Sequence, residues 1–191
     1  VNTLISIHDA TFDRLENAAA PWLLPTLARF TFAATLMLYF WNSGLTKLGS
    51  GIGGLFAPSL GAYAQIFPKA MEAVGYDVGQ LGLFHRLVVL AGTYAEFLLP
   101  LLLLLGLATR LSALGMIGFI AVQSLTDLFG HGAIGQPETL GAWFDRVPDS
   151  PILDQRLFWI TVLTVLVIRG AGPLSLDRLL RRHAPYDSSA A

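Results

Sequence analysis

A carboxylate inside an apolar run is the first group in this chain that could do chemistry. Glu96 stands in TYAEFLLPLLLLLGLATRL, residues 93–111, where almost every neighbour is hydrocarbon. A charge held in such surroundings costs on the order of 3 kcal/mol or more, so the acid must be protonated or paired with a cation. Pro100, four residues on, has no N–H and so frees the carbonyl of Glu96 as well. Two cations could answer the acid, Lys47 and Arg156. Other polar groups fall at comparable depth. Asn42 precedes Thr46 and Lys47 by one turn, Gln123 and Asp127 are four apart on one helix face, and His131 follows a turn later. The set Asn42, Lys47, Glu96, Gln123, Asp127, His131 and Arg156 offers donors, acceptors and both signs of charge. That combination can hydrogen-bond a small polar head group or exchange protons with it.

The elements that must position these groups follow from composition. The chain has 191 residues, 54% hydrophobic and 13% charged. A soluble domain of this size carries about 25% charged residues, because much of its surface faces water. The membrane class is expected, with a soluble helical bundle as the alternative. A net charge of −1 provides no basic balance for nucleic acid. With no cysteine, thiolate nucleophiles, disulfide relays and iron–sulfur clusters within this chain are excluded. Four apolar stretches, at about 27–45, 87–107, 111–128 and 152–168, predict four membrane spans. The second has the ~20 residues that a ~30 Å hydrocarbon layer demands, and the others approach that length with aromatic ends such as Tyr39, Trp41 and Trp159. Only the ATR corner near Arg110 separates the second and third, so those two must be antiparallel neighbours.

Residues 1–24 lack the basic start and apolar core of a secretory signal. Leu4, His8, Phe12, Leu15, Ala19 and Trp22 recur at helical spacing instead, predicting an amphipathic interfacial helix that stops before Pro25. After the fourth stretch GAGP breaks the helix, and SLDRLLRRH (175–183) resumes it, with Ser175 as cap and Leu176, Leu179 and Leu180 on one face. The expected arrangement is therefore interfacial segment 1–24, transmembrane domain 25–170, and amphipathic helix and unstructured tail 171–191. Seven arginines fall on the side of the termini and five cations on the other, which places both termini in the cytoplasm.

Depth along the spans then locates the polar set. Glu96 lies ten residues from Arg86 and fourteen from Arg110, or ~15 Å and ~21 Å at the helical rise. Asn42 and Gln123 are each thirteen residues in from a cytoplasmic-side arginine, or ~20 Å. All seven residues fall in the outer half, whereas LLPLLLLLGL, LSALGMIGF and VLTVLVI fill the inner half with hydrocarbon. The expected shape is a polar cup open outward and plugged below. A quinone head group, which needs two hydrogen-bond donors and an apolar slot for its tail, suits such a cup. The competing interpretations are a structural strut, with Glu96 paired to Lys47 or Arg156 and nothing bound, and an ion path, against which the plug argues.

Other motifs lead nowhere. GSGIGG (49–54) satisfies the dinucleotide-binding glycine pattern, but it follows a membrane span and not a strand. His8, His85, His131 and His183 share no ligand spacing, so no metal or haem site is expected.

RFTFAATLMLYFWNSGLTKL (29–48), AGTYAEFLLPLLLLLGLATRLSAL (91–114) and PLSLDRLL (173–180) together resemble the DoxX family of membrane proteins. By position Lys47, Glu96 and Arg110 look like that family's recurring polar residues. The resemblance implies an all-α, polytopic, antiparallel four-helix transmembrane bundle in a bacterial inner membrane. Some members are associated with thiosulfate–quinone oxidoreductases and terminal quinol oxidases. The implied function is a subunit of a membrane redox complex, with lipid and further subunits as partners, quinone as the ligand, and no complete active site of its own. The alternatives are a stand-alone oxidoreductase using Glu96 for proton transfer and a purely architectural subunit. The long segments 49–85 and 129–155 depart from the family pattern.

Overall fold

The computed structural model describes residues 2–183, and the expectation of an unstructured tail concerns 184–191, outside the described residues. Every regular element among the described residues is helical. Helix α1 spans Asn2–Ala19 and buries none of its residues. It ends earlier than expected. A turn at 20–22 follows, and α2 begins at Leu23, so Pro25 lies in the first turn of α2 and does not stop α1. Proline is tolerated there because the N–H it lacks would have no intrahelical partner.

Helix α2 runs Leu23–Lys47 and contains one π-helical stretch, Ala33–Met37, which turns the following residues about the axis. The segment after it folds as α3 (Leu60–Ile66) and α4 (Pro68–Ala73), with Pro68 at the start of α4. Ala62, Tyr63 and Met71 from this pair pack on Val89 and form a small second core. Helix α5 spans Leu83–Leu105 and α6 spans Thr109–Gly130, the latter ending in a π turn over Thr126–Gly130. The corner between them is Gly106–Ala108, and Arg110 lies in the first turn of α6, not in the corner itself. Helices α7 (Leu153–Arg169) and α8 (Leu176–His183) follow among the described residues.

The main core is built from α2, α5, α6 and α7. Phe32, Leu36, Phe40, Leu103, Met116, Ile120, Leu163 and Leu166 meet in it. Gly44 lets α2 approach α5, since a Cβ there would lie 2.7 Å from the Phe97 ring. The outer faces carry exposed apolar side chains, among them Phe30 and Leu38 on α2, Leu87 and Leu98 on α5, and Leu111 and Val122 on α6. A surface so apolar over whole helix lengths requires a non-aqueous neighbour. Among the described residues, α2, α5 and α6 are long and apolar enough to cross a membrane. The fourth expected span, α7, has 17 residues with Asp154 in its first turn. It packs against α2 and α6.

Two charged residues tie the corner together. Arg29 reaches across from α2, with Nε donating to the Leu103 carbonyl at 3.1 Å and Nη2 to that of Leu104, both at the end of α5. Its Nη1 donates to Ala171 at 3.1 Å and also to Leu174 in the turn after α7. Asp177 of α8 accepts from the N–H groups of Ala108 at 2.7 Å and Thr109 at 2.9 Å, where α6 begins. Helix ends leave such carbonyls and N–H groups without intrahelical partners, and the two side chains supply them. Burial pushes the Asp177 carboxyl up, but the hydrogen bonds from Thr109 and Ala108 and the charge of Arg181 outweigh it and hold the group below its ordinary range. Gly106 makes the corner possible. Its φ of 66° lets the Leu107 N–H return to the Leu102 carbonyl at 2.9 Å, and a Cβ would strike the Ser175 side chain at 2.6 Å.

Candidate ligand cavity

A cavity of about 750 Å³ opens among α2, α3, α5, α6 and the start of α7. Tyr39, Ser43 and Lys47, spaced four apart, form its α2 wall. Glu96 lies on the α5 wall among Ala91, Gly92, Ala95 and Leu99. Gln123 and Asp127 come from α6, His131 follows that helix, and Arg156 reaches in from α7. Gly115 and Gly118 also line the α6 wall, where they place no side chain.

Glu96, the acid in the apolar run of α5, meets Lys47. Lys47 Nζ lies 3.0 Å from both Glu96 oxygens and 2.6 Å from Ser43 Oγ, and the Ser43 hydroxyl donates to Glu96 Oε1 at 2.9 Å. Both charged side chains are buried, at 6% and 5% exposure, so the pair relies on its own geometry and not on water. Trp41 Nε1 donates to the Phe97 carbonyl at 3.2 Å, in the stretch where Pro100 interrupts the α5 hydrogen-bond ladder.

Arg156 takes a different partner. Its Nη2 donates to Asp127 Oδ2, whose side chain is 30% exposed. The arginine side chain is itself 7% exposed, and its Nε and Nη1 have no hydrogen-bond partner among the described residues. Gln123 Nε2 donates to the Tyr39 hydroxyl at 2.9 Å, which leaves its Oε1 unpartnered. His131 Nε2 donates to the Gln65 carbonyl at 2.9 Å, linking the end of α6 to α3.

Six of the seven residues singled out in the sequence line this cavity, namely Lys47, Glu96, Gln123, Asp127, His131 and Arg156. Asn42 does not. It is exposed, because residue 42 lies ~100° around the axis from Ser43 and the cavity takes the 39, 43, 47 edge of α2. Sequence reasoning missed Tyr39 and Ser43. The signal for them was their four-residue spacing toward Lys47.

A family model, DoxX, matches residues 24–128. The chain belongs to the DoxX family. No curated protein and no solved structure matches it. The DoxX match begins in the first turn of α2 and ends in the last turn of α6, taking in Lys47, Glu96, Gln123 and Asp127, while His131, Arg156 and α8 lie beyond it. With its apolar spanning helices, this DoxX chain is a membrane protein whose helices contact the lipid bilayer.

Proposed function

We propose that this DoxX protein is an inner-membrane subunit of a redox complex and that its cavity receives the head group of a quinone from the outer side. In this reading α7 is a fourth crossing. Its support is the outward-facing Leu157, Phe158 and Ile168 and its ~26 Å length, which a locally thinned bilayer accommodates. Both termini are then cytoplasmic, with α1 and α8 at the interface on that side, as the distribution of arginine favours.

The observation that carries the ligand assignment is Arg156. Two donors buried in a membrane protein without partners cost about 1–3 kcal/mol each, so something with acceptor oxygens should meet them. A quinone carbonyl is such an acceptor, and Gln123 Oε1 can accept from a hydroxyl of the reduced form. The apolar walls suit the ring and tail, and the volume lies within the ~300–1,000 Å³ common for small-molecule sites.

A short-chain quinone titrated into the protein in nanodiscs tests this. Trp159 is the reporter, its ring 5.4 Å from that of Tyr39 on the cavity wall. Saturable quenching, weakened at least ~10-fold in Arg156→Gln, is the expected result, a loss of about 1.4 kcal/mol. Equal affinity in the variant would overturn the assignment. The redox-complex half is tested separately by mild solubilisation from native membranes. Recovery without either a stoichiometric partner protein or extractable quinone counts against it.

A further inference from the structure

At the corner end, away from the cavity, four arginines converge on a second concavity of about 240 Å³. Arg110 comes from the first turn of α6, Arg169 from the last turn of α7, and Arg178 and Arg181 from α8, while Gly170–Gly172 supplies backbone to the wall. Arg110 Nη2 donates to the Ile168 carbonyl at 3.1 Å, and its Nε lies close over Gly170, 3.5 Å from where a Cβ would be. Arg169, Arg178 and Arg181 make no ion pair within 4.0 Å among the described residues. The acid in the lining, Asp177, already spends both oxygens on the backbone N–H groups of Ala108 and Thr109.

Three helices thus bring four guanidinium groups around one small space, with Asp177, beside Arg181, as the single carboxylate in the lining, and leave most of their charge uncompensated. Like charges held together repel, so the arrangement is stabilised by an anion that enters it. The planar fork of arginine matches the oxygens of phosphate, and several forks from different directions match a tetrahedral anion better than a flat carboxylate. Next to the arginines in sequence stand highly exposed aliphatic side chains, Leu111 beside Arg110, Ile168 beside Arg169, and Leu174 after the glycine turn. A phosphate-sized basic recess bordered by exposed hydrocarbon is the chemistry of a phospholipid seat at a membrane interface.

We propose that this concavity binds a phosphate group, carried by an anionic phospholipid or present as free phosphate, independently of whatever occupies the larger cavity. The full chain is placed in nanodiscs of phosphatidylcholine alone, of phosphatidylcholine with phosphatidylglycerol, and of phosphatidylcholine with inorganic phosphate added at constant ionic strength. Thermal unfolding is followed in each. Phosphatidylglycerol should raise Tm by about 2–4 °C, and the rise should vanish in Arg169→Gln/Arg178→Gln and shrink in the milder Arg181→Gln. Arg146→Gln, which removes a cation from the long loop before α7, should keep it. A rise with phosphatidylglycerol alone identifies the lipid as the source, and a rise with phosphate alone identifies the free ion. No rise with either, a rise that survives in both cluster variants, or an equal loss in Arg146→Gln overturns the site.

Discussion

The corner and the cavity both use buried or half-buried charge, but they use it differently. At the corner Arg29 gives its nitrogens to four main-chain carbonyls, and Asp177 gives its oxygens to two main-chain N–H groups. The charges of these two residues are consumed in closing helix ends. At the cavity the charges pair with other side chains, Lys47 with Glu96 and Arg156 with Asp127, and Arg156 leaves two donors unused. The contrast separates two jobs that look alike in a list of polar residues. A side chain whose hydrogen bonds all end on backbone holds the fold, whereas one with capacity left over beside an open volume is available to a ligand.

The largest expected effect tests whether the cavity pair also bears structural weight. Glu96→Ala leaves the Lys47 ammonium buried with Ser43 alone and should cost about 3–5 kcal/mol, read as a drop in Tm and folded yield in detergent. Lys47→Met combined with Glu96→Leu should recover most of that loss, since neither charge then needs a partner. A costless single substitution would show that water reaches the pair. Next comes Arg29→Ala, which strands carbonyls at the end of α5 and in the turn after α7. It should cost about 3 kcal/mol while the protein that does fold binds quinone as before. Arg29→Lys should not rescue it, because one ammonium cannot span both helix ends.

Asp177→Asn should cost about 1 kcal/mol, as loss of a helix cap does. Its pH dependence distinguishes the cap from general packing. The folded carboxyl titrates below its unfolded value of about 3.9, so its contribution is fully present above that pH and is lost as pH falls through the depressed folded value. The Tm gap between wild type and Asp177→Asn should therefore be constant near neutrality and close only in strong acid. Arg156→Gln should be smallest in stability, about 1 kcal/mol or less, because Asp127 is open enough to be hydrated when left alone. If that variant instead unfolds the protein while quinone affinity in the folded fraction holds, Arg156 belongs with the corner residues and the distinction between the two ends fails.

Much of this arrangement is legible in the amino-acid sequence. Glu96 announced itself as an acid in hydrocarbon that needed a cation, and Lys47 was one of two residues that could serve. Gln123, Asp127 and His131 were grouped by their four-residue spacing, and all three line the cavity. Asn42 was grouped with them yet lies on the outside, while Tyr39 stood only as an aromatic span end and Ser43 had no reading. Arg29 counted only as one of the seven arginines on the side of the termini, and Asp177 stood without a role in the helix expected at 175–183. Nothing in their spacing shows that one closes α5 and the other opens α6.

The amino-acid sequence alone determined the helical class, the membrane setting and the spacing of the polar groups along each helix. Those follow from composition, from the length of apolar runs and from a fixed rise of about 1.5 Å per residue, none of which depends on a neighbour. Only the tertiary structure decided which cation meets which acid, which face of α2 looks into the cavity, and which charges are spent on backbone. Those are matters of rotation about each helix axis. Rotation is shifted by the π turns at Ala33–Met37 and Thr126–Gly130 and settled by how the helices pack together, so no count along one helix could supply it.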